Sequence, residues 1–363
     1  MDTVAALAAA EPELTPVAVV DELQLERNLA GMAAISAAAG VALRPHAKTH
    51  KSTFVASRQL AHGAVGLTVA TLQEAEVFAA AGVEDILIAH PPVGTEKLRR
   101  LALLADRIPR LAVAVDSVAI AEAVPVSVEI LWEVDSGGHR LGTLPGPATA
   151  DSVLRMVAAI GGERVRGLMT HGGHAYRVAG PSRLREAAEE EAGALLDSAQ
   201  RLREQGFGCR VLSVGSTPTA AWVPRLGGIT EMRPGTYAFY DANQVGLGSA
   251  READCALAVV ATVVSVHPDR AVVDAGSKAL STDLRVAGLE GHGLVLGHPE
   301  LVLERLSEEH GVLVGEGVGT LQIGARLVII PNHVCTTVNL NSELLFFGAE
   351  EPRWEPVGAR GWR

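Results

Sequence analysis

The chain has 363 residues, 48% of them hydrophobic and 20% charged, with 31 basic against 42 acidic side chains and a formal net charge of −11. That length suits two domains, one of them large, and the composition is that of a globular protein. The acidic balance excludes the concentrated basic face a nucleic-acid partner needs, and no apolar segment approaches the roughly 20 residues that span a bilayer.

In chain order, the stretch from Asp2 is alanine-rich but has no basic n-region and no long apolar run, so no signal peptide is expected. Residues 15–20 read as a strand. Asp21 follows as a helix N-cap, with Gln24 three residues on as a capping-box partner. Leu25, Leu29, Met32 and Ile35 are spaced for one apolar helix face, which stops at Gly40.

Short β-rich runs then alternate with helical patterns. Strands are expected at 41–44, 66–70, 85–89, 110–115, 126–132, 165–170, 210–214 and 229–232, with helices such as 72–81, 95–105 and 183–205 between them. Eight strands joined by crossovers, after a leading helix, make the count of a (β/α)8 TIM barrel, α/β in class. No internal repeat is visible. Beyond Tyr237 the pattern changes to β-branched runs at 256–267, 270–274, 311–314, 326–330 and 342–347, with no good helix between them. The expected organisation is a barrel over 21–246 and an all-β domain from 247–363 that also takes the N-terminal strand of 1–20.

The segment Arg44-Pro45-His46-Ala47-Lys48-Thr49-His50-Lys51-Ser52 follows the first barrel strand. Active sites of such barrels lie at the C-terminal ends of the strands, so Lys48 is expected at the mouth. Positive neighbours and partial burial lower a lysine pKa and keep some amine unprotonated, as Schiff-base chemistry requires. A solvated basic loop is the alternative. After the seventh strand comes Gly215-Ser216-Thr217-Pro218-Thr219, and after the eighth Gly235-Thr236-Tyr237. Loops at these two places commonly bind phosphate, with glycines allowing close approach and hydroxyls and amides supplying donors. Each run alone also reads as an ordinary turn. A phosphate cup beside a Schiff-base lysine is what pyridoxal 5'-phosphate needs.

Arg140 follows the fifth strand as a candidate partner for the cofactor's phenolate oxygen, or as a salt-bridged loop arginine. His171 and Tyr176, after the sixth, are candidates to face the pyridine ring or the substrate. Near the C-terminus, Pro331-Asn332-His333-Val334-Cys335 reads as extended. On a strand, residues i and i+2 share a face, so His333 and Cys335 are placed to ligate one metal. Thiolate plus imidazole favours Zn2+ over Mn2+ or Mg2+, and two protein ligands leave room for substrate and water. A buried cysteine beside a histidine is the plain alternative. The other cysteines, Cys209 and Cys255, complete an odd, sparse set that suits no disulfide framework and points to a reducing cytoplasm.

Taken together, the lysine segment, His171-Gly172-Gly173-His174, the Gly-Ser-Thr-Pro-Thr run, Arg233-Pro234-Gly235-Thr236-Tyr237 and the late His333-x-Cys335-x-x-x-Asn339 resemble the D-serine dehydratase and D-threonine aldolase family. That family belongs to the alanine-racemase-like fold type of pyridoxal-phosphate enzymes, and the resemblance runs in order over nearly the whole chain. It implies that Lys48 is the Schiff-base lysine, that Gly215, Ser216, Thr217, Gly235 and Thr236 hold the phosphate, and that Arg140 lies at the phenolate side of the ring with Tyr176 near the pyridine. It further implies a divalent metal at His333 and Cys335, a small D-amino acid as substrate and a homodimer.

The cysteine in the metal motif and the Lys48-Thr49-His50-Lys51 run favour the dehydratase side, converting D-serine to pyruvate and ammonia. The alternative is retro-aldol cleavage, as by a D-threonine aldolase, with His46, His50 or a metal-bound water as base. An amino-acid racemase and a non-catalytic cofactor carrier are the remaining readings. Arg177, Tyr240 and Gln244 are the candidates for the substrate carboxylate.

Overall fold

The structure is a computed structural model and describes residues 12–178, 180–283, 285–286, 289–348 and 351–361. The alanine-rich stretch up to residue 11, on which the signal-peptide expectation rests, lies outside the described residues, as do 284, 287–288, 349–350 and 362–363 of the expected second domain.

Strand β1 (Val17–Asp21) runs straight into helix α1 (Glu22–Ala39). Asp21 caps the helix, its carboxylate accepting from the Leu23 and Gln24 amides, and Gly40 ends it in the left-handed conformation at φ 65°. Leu25, Leu29 and Met32 are buried as the spacing predicts. Ile35 is 37% exposed, and Ser36 takes the inward place beside it.

The alternating pattern then resolves into β2 (Ala42–Leu43), α2 (Thr53–Ala61), β3 (Leu67–Val69), α3 (Leu72–Ala80), β4 (Asp85–Ile88), α4 (Thr95–Ala105), β5 (Arg110–Val115), α5 (Val118–Ala123), β6 (Glu129–Val134), α6 (Pro147–Ile160), β7 (Val165–Thr170), α7 (Pro181–Glu204), β8 (Val211–Val214) and β9 (Glu231–Met232). These eight strands, β2 to β9, form one parallel sheet in the order β2-β9-β8-β7-β6-β5-β4-β3. The ring closes through a parallel bridge between His46 and Thr68, with the Thr68 amide on Pro45 O and the Ala47 amide on Thr68 O. Every expected barrel strand is present. The one expected at 126–132 begins later, at Glu129, because a turn from Pro125 O to the Val128 amide leaves Val126 in solvent.

Strands β4, β5, β6 and β7 are buried almost throughout, as parallel strands covered by helices must be. The barrel interior nevertheless holds charge. Arg44, 1% exposed, donates to Asp85 at 2.7 Å and Glu231 at 2.8 Å. Ser213 donates to Glu231 at 2.6 Å and receives Arg233, whose other terminus donates to Thr170 O at 2.6 Å. Such charges survive burial only because each is paired. One end of this chain of pairs, Arg233, emerges at the mouth.

After α8 (Ala242–Leu247) the chain builds a second sheet from β10 (Leu257–Val266), β11 (Ala271–Val273), β12 (Gly293–Val295), β13 (Leu301–Leu306), β14 (Gly311–Gly315), β15 (Arg326–Pro331), β16 (Glu343–Phe347) and β17 (Arg353–Pro356). Strand β1 lies in it, antiparallel to β10 and parallel to β16. Val259, Ala261, Val263, Leu303, Leu313 and Ile329 fill its core. All five runs expected here are strands. Three more, β12, β13 and β17, carried no clear signal: the first spans three residues, and the others alternate apolar with charged side chains near their exposed ends.

Two helices interrupt this region, contrary to the all-strand expectation: α9 (Ser277–Leu280) and α10 (Val334–Leu340). The second matters most, because His333-Val334-Cys335 is not extended. His333 is the N-cap, with φ −136° and ψ 105°, and Cys335 sits in the first helical turn. Thr336 and Thr337, β-branched residues that favour strands by propensity, donate their hydroxyls back to His333 O at 2.9 and 3.2 Å, while Asp241 accepts from the first helical amide, Val334 N, at 3.1 Å. Among the described residues, no helix is long and apolar enough to cross a membrane.

Candidate active site

The C-terminal ends of the barrel strands open on a cavity of about 510 Å³. The candidate catalytic, cofactor and metal residues all line it except His50; the carboxylate candidates Arg177, Tyr240 and Gln244 do not. His50 is fully buried in the wall instead, its Nε2 3.1 Å from Gln59 Oε1, its Nδ1 3.2 Å from the Ser52 amide, and its ring edge-on to Phe78. Burial holds it neutral, with a pKa pulled down to about 4. With both nitrogens occupied it has no free valence for a reacting group, which corrects its candidacy as a base.

Lys48 lies in the turn that follows the closing bridge. Burial lowers its pKa below the ordinary lysine value, and Arg140 and Arg233 add to the effect against the opposing pull of Cys335 and Glu74. The expected contribution of Arg44 and Lys51 is not seen. Arg44 is spent on Asp85 and Glu231, and Lys51 Nζ lies 3.2 Å from Glu74. His46 is held well below its usual pKa, by burial first and then by Lys48 and Arg233. His171 is pushed down to about 3 by burial and by Lys48, and its Nδ1 lies 2.9 Å from Gly215 O. Both rings are therefore neutral. For His171 the contact makes Nδ1 the N–H and leaves the lone pair on Nε2.

The two glycine turns meet across the cavity floor. A Cβ on Gly215 would lie 2.8 Å from Arg233 Cβ, and one on Gly235 would lie 2.7 Å from Thr49 Oγ1. Only glycine fits either place. Their amides, however, are already used: Gly215 N donates to Glu191 at 3.0 Å and Gly235 N to Thr217 Oγ1 at 3.2 Å. Thr217 Oγ1 also accepts from the Tyr237 amide at 3.1 Å, so its own proton is free to donate elsewhere. The Thr236 hydroxyl is buried and makes no close hydrogen bond, its polar neighbour being the Tyr176 phenol. The cup thus offers an anion threonine hydroxyls, while its glycines contribute close approach. Burial raises the pKa of the Tyr176 phenol at its rim, and beside it the Gln244 amide nitrogen is also buried and unpaired.

Several functional positions were missed from sequence. Arg233, fully buried, heads the very run that marked the cup, and nothing in its local pattern shows that it turns inward. Glu191, on the outer helix α7, accepts from the Gly172 and Gly215 amides at 2.9 and 3.0 Å and from Thr219 Oγ1 at 2.9 Å, tying the two loops together. No spacing rule links a residue on a long amphipathic helix to those turns. Arg140 is half in solvent, with Glu133 Oε1 at 4.0 Å. Of the carboxylate-binding candidates, Arg177 lines an adjoining recess with Arg140. Tyr240 packs in the core, and Gln244 holds Ser249 Oγ at 2.7 Å.

The metal candidates enter the cavity from α10. His333 Nδ1 lies 2.8 Å from Asp283 Oδ2, which also accepts from Thr336 Oγ1 at 2.9 Å, while Cys335 Sγ lies 3.2 Å from Thr49 Oγ1. Burial works against charge on both, yet the pair stabilises thiolate and imidazolium together: His333 is raised to about 11 by Cys335 and Asp283, and Cys335 is lowered by His333. Asp241 anchors the helix start, accepting from the Val334 amide at 3.1 Å and the Gln244 amide at 2.9 Å. Among the described residues no set of three or more His, Cys, Asp or Glu groups converges to hold an ion. A soft two-ligand pair with a carboxylate behind the imidazole fits an open zinc-type site rather than a closed structural one. The half-buried amine, the buried Thr236 hydroxyl and the glycine approach fit pyridoxal phosphate.

Residues 20–244 match the family described as alanine racemase, N-terminal domain, and residues 256–347 the putative serine dehydratase domain. The chain is 38% identical to the D-threo-3-hydroxyaspartate dehydratase of Delftia sp. (strain HT23), over 96% of this chain and 95% of that protein. A solved structure of that dehydratase superposes with a TM-score of 0.88 at 37% identity, covering 98% of this chain and 99% of that one. A metal-free form of it with a cysteine replaced by alanine has also been solved. The chain is 34% identical to a D-threonine aldolase of Arthrobacter sp (96% and 93% covered) and 30% identical to a D-serine dehydratase of Dictyostelium discoideum (91% and 92% covered).

Proposed function

The chain belongs to the D-serine dehydratase and D-threonine aldolase family of pyridoxal-phosphate lyases, and from that premise we propose that it removes water from a D-β-hydroxy amino acid with the help of a divalent metal. The observation that carries this reading is that a half-buried lysine amine of lowered pKa, from the barrel, and a His-Cys pair, from the helix that follows β15, line one cavity. D-Serine, giving pyruvate and ammonia, is the substrate the sequence motifs favour.

Lys48 anchors the cofactor, and its amine then takes the α-proton of the substrate. Burial, with Arg140 and Arg233, lowers the pKa of that amine and so favours the accepting form. Bound pyridoxal phosphate supplies the electron sink for charge developing at Cα. Thr217 and Thr236 would donate to its phosphate, and Arg233 and His171 line the cavity where the rest of the group would lie. His333 and Cys335 hold the metal, preferably Zn2+, whose Lewis acidity suits a hydroxyl leaving group. Asp283 orients His333 through Nδ1, which leaves Nε2 for the ion. Replacing Asp283 with Asn is expected to weaken Zn2+ binding on the order of 10- to 100-fold while Cys335 remains in place. Competition with a chromophoric chelator measures this, and unchanged affinity would remove Asp283 from the site.

A specific observation favours a dicarboxylic substrate as the second reading. Arg177 makes no ion pair among the described residues, and it lines, with Arg140, a recess of about 90 Å³ beside the main cavity. The recess also carries Asp135 and Glu133, the latter 4.0 Å from Arg140, so Arg177 is the cation it offers a second carboxylate, as on D-threo-3-hydroxyaspartate. Arg177→Ala is then expected to raise KM for that substrate roughly 10- to 100-fold, the worth of one charged hydrogen bond, and to leave KM for D-serine within about twofold. Equal effects on both substrates would return the preference to D-serine. Parallel assays that score pyruvate, oxaloacetate, and glycine with an aldehyde separate dehydration from aldol cleavage.

A further inference from the structure

Asn339 ends the His333-x-Cys335-x-x-x-Asn339 pattern, and no part of the chemistry above uses it. It stands four residues after Cys335 on α10, so the two side chains share a face of the helix. That face meets the turn that carries Lys48. Thr49 Oγ1 lies 3.2 Å from Cys335 Sγ, and Lys51 Nζ donates to Asn339 Oδ1 at 2.9 Å. Two residues spaced i and i+2 on the lysine turn thus grip two residues spaced i and i+4 on the metal helix.

Lys51 is unusual in other ways. Its backbone is left-handed, at φ 48°, a conformation that costs a non-glycine residue about 1 kcal/mol or more. Its amide donates to Ala47 O at 2.8 Å, and its carbonyl accepts from the Ala359 amide at 3.0 Å. Its ammonium, nearly buried, also lies 3.2 Å from Glu74 Oε1. The other oxygen of Glu74 accepts from the Ala70 amide at 2.7 Å, and Ala70 is part of the cavity wall. The strained turn is therefore held at once to the barrel wall and to α10.

We infer that Lys51 and Asn339 form a clasp whose role is positional: it sets the Lys48 turn against the His333–Cys335 pair, so that the base and the metal act on adjacent atoms of one substrate. This rests on the roles given to Lys48 and to the pair above. Neither Lys51 nor Asn339 touches the reacting atoms. A misplacement of about 1 Å between reacting groups can cost roughly 100-fold in rate, which is why a contact away from the chemistry is worth holding.

The test uses the pyridoxal-phosphate holoenzyme, stripped of metal and titrated with Co2+. Thiolate-to-cobalt absorbance reports binding at Cys335, and the visible cofactor band reports the surroundings of Lys48. In the wild type, Co2+ is expected to shift the cofactor band. In Asn339→Ala, Co2+ is expected to bind within about threefold of wild type without shifting that band, and kcat to fall roughly 10- to 100-fold with KM little changed. Asn339→Asp, whose carboxylate accepts from Lys51 as the amide does, is expected to restore both. Lys51→Met should reproduce the alanine variant.

A wild-type band indifferent to Co2+ overturns the inference, as does an alanine variant that keeps both the shift and kcat. An aspartate variant as impaired as the alanine one does the same. Parallel loss of cofactor content, cobalt binding and thermal stability would mark a merely structural contact and also overturn it. If the spectral results hold but no D-β-hydroxy amino acid is turned over, the proposed reaction fails and the clasp stands.

Discussion

Lys48→Ala is expected to abolish turnover, with a loss of roughly 10³-fold or greater, and to abolish the visible absorbance of bound cofactor. Two functions disappear with one amine: the anchor for pyridoxal phosphate and the base for the α-proton. A positioned base alone contributes about 10²- to 10⁴-fold. No neighbour replaces it. His46 and His171 are neutral, but an imidazole cannot form the covalent link, and Lys51 is occupied by Glu74 and Asn339. Compared as apoproteins, so that the stabilisation by bound cofactor is absent from both, the variant is expected to melt no lower than the wild type. Burial disfavours the charged amine, so its removal relieves a desolvation cost rather than breaking a stabilising pair. Thermal melting with a product assay checks both halves, and a Lys48→Ala protein that still turns over D-serine or 3-hydroxyaspartate at a tenth of the wild-type rate would falsify the assignment.

Chelation should be nearly as damaging. Removing the metal from the wild type is expected to lower dehydration about 10²- to 10³-fold, since Lewis-acid help toward a poor leaving group is worth several kcal/mol. Added Zn2+ should restore it. Cys335→Ala is expected to show the same loss with no rescue by Zn2+, because His333 alone is a single ligand. Its cofactor absorbance should persist, since the cup and Lys48 lie on other elements. Full activity in Cys335→Ala would point instead to metal-free chemistry, such as proton exchange at Cα.

Much of the fold was legible because its signals are local. Eight strands spaced by helices announce a barrel, and the cap at Asp21 and the stop at Gly40 can be read from single residues. The glycine turns after the last two barrel strands mark a cup because only glycine tolerates the approach of Arg233 or Thr49, a constraint that leaves its imprint at one position. The misreadings have causes in the folded chain. Threonines 336 and 337 favour a strand by propensity, yet Asp241, nearly a hundred residues earlier in the chain, accepts from the Val334 amide and anchors a helix there. His50 sits among the basic and polar residues of the lysine segment and still turns into the wall, where Gln59 and Ser52 satisfy it.

The sequence by itself determined which chemistry is available: a lysine, a phosphate cup and a soft metal pair, each carried by a short motif whose residue types answer to bonding rules. Tertiary structure alone decided which of these groups meet, and in what state of charge. The depressed pKa of Lys48 comes from burial and from Arg140 and Arg233, far away in the chain, and not from the basic residues beside it. Arg44 is neutralised across the barrel, Lys51 is turned outward to Asn339, and Glu191 reaches in from an outer helix to set two loops. Electrostatic and steric terms act through space and fall off with distance, whereas motifs act along the chain. Contacts separated by hundreds of residues therefore leave no pattern in the sequence and become visible only once the chain is folded.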